Sequence, residues 1–227
     1  MRLRIIVPAA APRALVRYFF LAVAIACLGI YGYAYLERAV YQAYESREFD
    51  RTADRGATVI SSNNQTTPVG RLGRLSSKFG RAPRLLSSAS PIGRLSIPRL
   101  HLSAMVREGV DGNTLQLAVG HIPATALPGQ PGNVGVAGHR DTFFRGLKDL
   151  KTADRIQFST VSGDFNYLVE LLLIVEPDNV AVLAPSNDNM LTLVTCYPFS
   201  YIGAAPKRFI VRARQLASAA APASTVE

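Results

Sequence analysis

One cysteine stands where a strand is predicted to end, and its position suits nucleophilic chemistry. In the run 191–199 (LTLVTCYPF), apolar and β-branched residues lead up to Cys196, a pattern typical of a buried strand. Pro198 cannot donate to a sheet ladder, so the strand should end within a residue or two of Cys196. The thiol would then stand at a strand terminus, where a substrate can reach it. An inert core cysteine would show the same local sequence.

A histidine at a second predicted strand end is the best candidate for a base beside this thiol. The apolar strand 133–137 (NVGVA) is followed by Gly138 and His139. An imidazole there can take the proton of a thiol, whose pKa is about 8.5 when the group is free. His101 alternates with apolar neighbours and His121 adjoins a proline-containing loop, so we expect structural roles for these two.

The predicted last strand, 208–214 (RFIVRAR), carries arginines on one side. Because strand side chains alternate, Arg208, Ile210 and Arg212 share one face, and Phe209 and Val211 share the other. By pattern alone, Arg208 would be a solvated charge at a strand end.

Short strands are the elements that must position these groups. The predicted strands begin at Ile92, with a break at Pro98, and continue at 105–110, 133–137, 156–161, 165–175, 180–184, 191–196 and 208–214. Ser162-Gly163 predicts a hairpin turn. Residues 111–119 predict a short helix, and Gly120-His121-Ile122-Pro123 predicts a loop. About eight strands with little helix predict an all-β sandwich or barrel.

Three motifs, taken in order, resemble those of the sortases. They are GHRDTFF at 138–144, TLVTCYPF at 192–199 and the arginine strand that begins at Arg208. The first two look most like the class D branch, and the resemblance covers about Ile92 to Arg214. It implies an eight-stranded sortase β-barrel with Cys196 as nucleophile, His139 as acid/base partner and Arg208 as active-site arginine. Arg212 and Arg214 are near enough to be considered, but only Arg208 has the expected apolar pair after it.

The same resemblance implies a cysteine transpeptidase. Cys196 would cut a sorting signal of the Leu-Pro-x-Thr-Gly kind after Thr, and the thioester would pass to an amine on a wall precursor or a pilin. Two alternatives stay open: a peptidase that releases the peptide to water, and an envelope binding module whose cysteine is inert. A wall-building transpeptidase would be expected to show a Ser-His-Gly-Cys run, which this sequence lacks.

The sequence predicts neither a cofactor nor a metal. The nearest approach to a calcium site is a set of scattered carboxylates that could converge. They are Asp164, Glu170 and Glu176.

The amino-terminal part predicts a membrane anchor. Tyr18 to Leu36 is an uncharged run of 19 residues, close to the roughly 20 needed to span a bilayer. A cleaved signal peptide is the alternative, but no convincing cleavage site follows the run. We expect residues 1–17 inside the cell and the catalytic domain outside, although arginines are nearly balanced across the span. Cys27 would lie in lipid, so it cannot form a disulfide with Cys196.

The remaining segments complete the predicted organisation. Residues 37–91 form a juxtamembrane segment and a flexible basic linker, and the helix could continue through Glu37 to Arg51. The catalytic domain is 92–216, and 217–227 is a frayed tail. The net charge of +9 resides largely in the linker, which could adhere to anionic lipid or wall polymer or could simply be solvated. No zinc-ligand spacing or aromatic-basic motif indicates nucleic-acid binding.

Overall fold

The computed structural model describes residues 11–62 and 91–217, and the described part divides into two compact units between Tyr41 and Gln42. A single helix, α1, spans Ala11–Ser62. Its portion Leu15–Arg51 is long and apolar enough to cross a membrane, judged by length and composition. Composition predicts an irregular tether from Thr52, whereas the helix includes Thr52–Ser62. Once a helix has nucleated, further residues extend it at little cost. The predicted linker beyond Ser62 and the predicted tail after residue 217 lie outside the described residues.

The second unit is built on a closed barrel of eight strands. The strands are β1 Pro91–Ile97, β2 Leu102–Glu108, β3 Val119–His121, β4 Asn133–Ala137, β5 Arg155–Thr160, β6 Gly163–Val175, β7 Met190–Tyr197 and β8 Lys207–Gln215. Their order around the barrel is β1-β2-β3-β4-β7-β8-β6-β5. The β2–β3 and β4–β7 pairs are parallel and the other pairs are antiparallel. The predicted fold class, an eight-stranded barrel, is therefore confirmed.

The barrel interior is filled by one side of each strand, as the period of two requires. On β7, Leu191 and Leu193 belong to the core, and on β8 Val211 and Ala213 do so. Cys196 and Arg208 occupy the alternate positions of the same two strands. They therefore lie on the outer side of the barrel wall.

Helical content in this unit is small, as predicted. The only α-helix that lies wholly within the described barrel residues is α2, Gly112–Leu117. Asp111 caps it by accepting hydrogen bonds from the backbone N–H groups of Asn113 and Thr114 and from the Thr114 hydroxyl. The Thr114 side-chain hydrogen bond is the main reason that the pKa of Asp111 lies below its ordinary value.

Two sequence-based assignments were wrong. Gly120 and His121 belong to strand β3, not to a loop. Three residues are too few to show alternation, so this strand exists only through its pairing with β2 and β4. Conversely, Val180–Leu183 is a 3₁₀ turn with no buried residue, not a strand. A short apolar run is compatible with either structure. Because one strand was missed and one was added, the predicted number stayed at eight.

Part of α1 packs on the barrel within the second unit. The Gln42 side chain accepts a hydrogen bond from the Met105 backbone N–H at 2.9 Å and donates one to the Leu117 carbonyl at 2.8 Å. The Arg94 guanidinium pairs with Asp50 at 2.9 Å and lies 5.4 Å from the ring centroid of Phe49, which is 8% exposed. Residues 42–50, for which the sequence predicted no chemical role, are thus a structural part of the barrel unit.

Candidate active site

Two parallel strands bring Cys196 and His139 to the same end of the barrel. In the β4–β7 pair, Ala137 lies opposite Val194. Cys196 follows Val194 by two residues and His139 follows Ala137 by two. Neighbouring strands are about 4.8 Å apart, so residues that are distant in sequence leave the sheet side by side.

The junction between these strand ends is tightly connected. The Gly138 backbone N–H donates to the Val194 carbonyl at 3.1 Å, and the buried Thr195 hydroxyl donates to the Gly138 carbonyl at 2.7 Å. A Cβ at position 138 would lie only 2.8 Å from the Phe144 ring. Glycine is needed before His139 because a larger residue would displace this ring.

Arg208 is placed beside the thiol by antiparallel pairing. It lies directly opposite Cys196 in the β7–β8 pair, and such partners project from the same face of the sheet. Its Nη1 donates to the carbonyl oxygens of Ala205 and Lys207 at 3.2 and 3.0 Å. Among the described residues, Nε and Nη2 have no partner. One edge of the guanidinium is held by the backbone carbonyls of Ala205 and Lys207, and the other can donate to an oxygen of a ligand.

His139, Cys196 and Arg208 all line one cavity of about 310 Å³. The other lining residues are Arg140, Asp141, Gly203, Ala204 and Ala205. His139 is exposed, whereas Cys196 and Arg208 are half-buried. No hydrogen-bond partner for the His139 imidazole occurs within the described residues. The cavity therefore combines a thiol, an imidazole with free ring nitrogens and a guanidinium.

The two other arginines of β8 lie farther from the thiol. Arg212 pairs with Thr192 and Arg214 with Met190, four and six residues along the strand from Arg208, or roughly 13 and 20 Å. Arg214 is held by Glu170 at 2.6 Å and by Asp188 at 2.8 Å. Hydrogen bonds to these two carboxylates raise its pKa above the ordinary value. Arg208 is the arginine of this strand that lines the cavity.

The other residues considered from the sequence lie elsewhere. His101 is exposed and has a left-handed backbone conformation after the 3₁₀ turn Pro98–Leu100. His121 is buried and bonded on both ring nitrogens. Glu170 and Glu176 pair with Arg214 and Lys207, and residues 11–62 and 91–217 contain no cluster of three or more His, Cys, Asp or Glu that could hold a metal. Cys27 and Cys196 are both free thiols.

An aromatic cluster lies next to Cys196 and Arg208 along β7 and β8. The rings of Tyr197 and Phe209 stack with centroids 6.3 Å apart, and Phe199 meets Phe209 edge-on at 5.3 Å. Phe199 and Phe209 also pack against the buried core. The backbone that follows Cys196 and Arg208 is therefore anchored by large, half-buried aromatic side chains.

The sortase domain family model matches residues 95–216, more than half of the chain. The chain belongs to the sortase family. It is 34% identical to sortase D of Bacillus subtilis over 125 residues, which are 55% of this chain and 63% of that protein. It is 31% identical to sortase SrtE1 of Streptomyces coelicolor over 137 residues, 52% of this chain and 39% of that one. The chain thus spans less than two thirds of the length of either relative.

Solved sortase structures share the barrel. A Clostridium perfringens sortase D5 transpeptidase superposes with a TM-score of 0.58 at 20% identity, covering 79% of this chain and 98% of that one, and this likeness concerns the fold alone. A lid mutant of sortase A from Corynebacterium diphtheriae has a TM-score of 0.53 at 30% identity, over 56% of this chain and 70% of that one. The class D resemblance of the motifs agrees with the sortase D relative.

Proposed function

We propose that this protein is a membrane-anchored cysteine transpeptidase that uses Cys196, His139 and Arg208. The observation that carries the proposal is their convergence on one cavity from three different strand ends. Thiol, imidazole and guanidinium are the groups that acyl transfer through a thioester requires. Family membership supports the same chemistry.

The first half-reaction makes the thioester. With the thiol proton of Cys196 on the His139 imidazole, the thiolate attacks the carbonyl carbon of the scissile peptide bond, and the carbonyl oxygen becomes negative. The free edge of Arg208 can donate to this oxygen at any physiological pH, because a guanidinium stays charged. As the tetrahedral intermediate collapses, the C–N bond breaks and His139 gives a proton to the leaving amine.

The second half-reaction releases the product. An incoming amine attacks the thioester carbonyl, and His139 takes one of its protons. The C–S bond then breaks, a new amide forms and the Cys196 thiolate is restored. No oxidant or cofactor enters this balance. If water replaces the amine, the same steps yield a carboxylic acid.

We further propose that the donor is a peptide of the Leu-Pro-x-Thr-Gly kind, cut after Thr, and that the acceptor is an amine of a wall precursor or a pilin. This follows from the family resemblance of the motifs around His139 and Cys196. Helix α1 would anchor the protein, with its amino terminus inside the cell. Anchoring enzyme and substrates to one membrane raises their effective concentration, so weak binding of each peptide would suffice.

The decisive experiment measures ligation by the full chain. The protein is incubated with a fluorescent Leu-Pro-Ala-Thr-Gly peptide, with and without triglycine, and the products are identified by mass spectrometry. We expect a joined product that requires triglycine, a trapped thioester on Cys196 that ends in Thr, and loss of both in Cys196→Ala. Capture of the peptide on another residue would refute the assignment of the nucleophile.

The same assay distinguishes a transpeptidase from a peptidase, which would give only the free acid whether or not triglycine is present.

A binding module with an inert cysteine needs a different measurement. In a Cys27→Ala background, Cys196 is the only thiol, so its alkylation by iodoacetamide can be followed directly. Rapid alkylation that slows after His139→Ala supports the enzyme, whereas resistance of the folded protein to the reagent supports the binding module.

A further inference from the structure

The residue after the candidate base makes contacts that the proposed chemistry does not use. Arg140 donates through Nη1 to the Pro198 carbonyl at 3.0 Å and through Nη2 to the carbonyls of Tyr201 and Gly203 at 2.5 and 3.1 Å. Its guanidinium also lies 5.9 Å from the ring centroid of Tyr201. All three acceptors belong to the segment 198–206 between β7 and β8, called here the β7–β8 loop.

Apart from Phe199, which packs against the core and Phe209, this loop has few side-chain contacts of its own. Its second half contains Gly203, Ala204 and Ala205, which have almost no side chain, and Ile202 is 96% exposed. Inside the loop, the Tyr201 N–H donates to the Pro198 carbonyl at 3.3 Å. The charged donors on the loop come from two arginines: Arg140 binds Pro198, Tyr201 and Gly203, and Arg208 binds Ala205. A planar guanidinium with five N–H groups can bridge several carbonyls, which an ammonium group does less well.

The loop is also one wall of the cavity. Gly203, Ala204 and Ala205 line it together with His139. Arg140 therefore ties the strand end that carries the imidazole to the loop that follows the thiol. A shift of this wall would change the space available to a bound peptide, while the exposed part of the thiol would remain accessible to a small reagent.

We propose that Arg140 is a positioning residue that fixes the β7–β8 loop against the His139 strand end and so shapes the peptide-binding wall. This inference rests on the proposed transfer reaction. Within the described residues, no hydrogen bond or ring contact joins the Arg140 side chain to Cys196, His139 or Arg208. Its loss should therefore weaken peptide binding much more than it slows the chemistry of Cys196.

The test compares Arg140→Ala and Arg140→Lys with Arg145→Ala in the full chain carrying Cys27→Ala. Arg145 is exposed and its side chain forms no hydrogen bond or ion pair with the described residues, so it controls for the loss of one positive charge. KM and kcat are measured with the Leu-Pro-Ala-Thr-Gly peptide and triglycine. Amide hydrogen exchange of the loop and the rate of iodoacetamide alkylation are measured on the same samples.

For Arg140→Ala we expect KM to rise about tenfold, kcat to fall less than threefold and loop exchange to quicken about tenfold. Alkylation of Cys196 should stay within twofold of the parent rate. Arg140→Lys should recover part of the loss, because lysine keeps the positive charge but lacks the several N–H donors of the guanidinium. If the alanine variant does not fold, KM and loop exchange are compared between Arg140→Lys and the parent. Arg145→Ala should match the parent.

Two failures can be told apart. If the parent protein transfers peptide and both Arg140 variants match it in KM and loop exchange, the role of Arg140 is refuted and the proposed function stands. If the parent itself forms no joined product, the proposed function fails, and the role of Arg140 in that reaction fails with it.

Discussion

Two glycine–histidine pairs lie on adjacent strands of this barrel and have opposite surroundings. Gly120-His121 belongs to β3, and Gly138-His139 follows β4, with His121 opposite Val136 in the antiparallel pair. Both glycines are needed because a Cβ would collide with a neighbour, the Gly109 carbonyl in one case and the Phe144 ring in the other. His121 is 2% exposed, whereas His139 is exposed at a cavity.

The hydrogen bonds of the two rings differ as much as their exposure. His121 Nδ1 lies 2.9 Å from a Glu108 carboxylate oxygen, and Nε2 lies 3.0 Å from the Ala126 carbonyl oxygen. The nearby Thr125 hydroxyl donates to the Ile122 carbonyl, so its proton is not available to the ring. Because both ring nitrogens of His121 have partners, this ring links β3 to its neighbours. The ring nitrogens of His139 have no partner among the described residues and can bind a substrate.

The largest expected effect is the loss of activity in His139→Ala. Removing a general acid/base should lower the rate of peptide transfer about 10²- to 10⁴-fold. Because His139 is exposed and bonded to no described side chain, the free energy of unfolding should change by less than about 0.5 kcal/mol. Transfer assays and urea denaturation measure the two quantities. A large loss of stability would show that the two histidines are more alike than the structure indicates.

His121→Ala should show the reverse pattern. It leaves the half-buried Ala126 carbonyl and Glu108 carboxylate without their buried partner, so the free energy of unfolding should fall by about 3 kcal/mol. Transfer by the folded fraction should change less than tenfold, because the ring lies outside the cavity. Denaturation followed by assay at a temperature where the variant is folded checks both. Loss of activity with unchanged stability would contradict the comparison.

Glu108→Gln tests the contact between Glu108 and His121 alone. Glutamine keeps the shape of the side chain and an oxygen acceptor but removes the charge opposite His121, and the free energy of unfolding should fall by about 1 kcal/mol. Glu176→Gln is the matched control, because Glu176 pairs with Lys207 at 3.2 Å on an exposed surface. Exposed ion pairs contribute little. Equal changes in the two variants would mean that burial does not strengthen the His121 contact.

The smallest expected effect is on acid sensitivity, and it concerns Asp154 rather than either histidine. The buried Asp154 accepts hydrogen bonds from Arg99 at 2.5 and 2.6 Å, which is the main reason that its pKa lies below the ordinary value. Its contribution to stability is present above the unfolded pKa of about 3.9 and is lost as the pH falls through the lower folded value. Asp154→Asn should therefore lower stability by about 1 kcal/mol at pH 7 and flatten its decline below about pH 4. Denaturation between pH 2 and 7 measures this slope, and an unchanged slope would contradict the assignment.

Much of the candidate site could be proposed from the sequence because its signals are local. The end of a strand near Cys196 follows from Pro198, which cannot join the ladder. Small residues before His139 indicated a strand end with room for a partner. By contrast, the choice of Arg208 over Arg212 and Arg214 needed the family resemblance, since all three arginines share one face of one strand.

The contacts of Arg140 and Gln42 were missed for a different reason. Each side chain binds backbone carbonyl or N–H groups far along the chain, Arg140 on the β7–β8 loop and Gln42 on Met105 and Leu117. Backbone acceptors exist at every residue, so no residue type in the sequence marks such a partner. The one signal available in the sequence was that Arg140 adjoins His139. Adjacency does not show which groups the arginine side chain contacts.

The sequence by itself determined the strand-rich character of the domain, the apolar helix of membrane-spanning length and the strand terminus at Cys196. These depend on periodicity, run length and proline, which act over a few neighbouring residues. Only the tertiary structure decided that β3 is a strand, that one histidine is enclosed while the other is open, and that an arginine joins two walls of the cavity. Those outcomes depend on pairing register and on contacts between distant segments, which exist only after the barrel has closed.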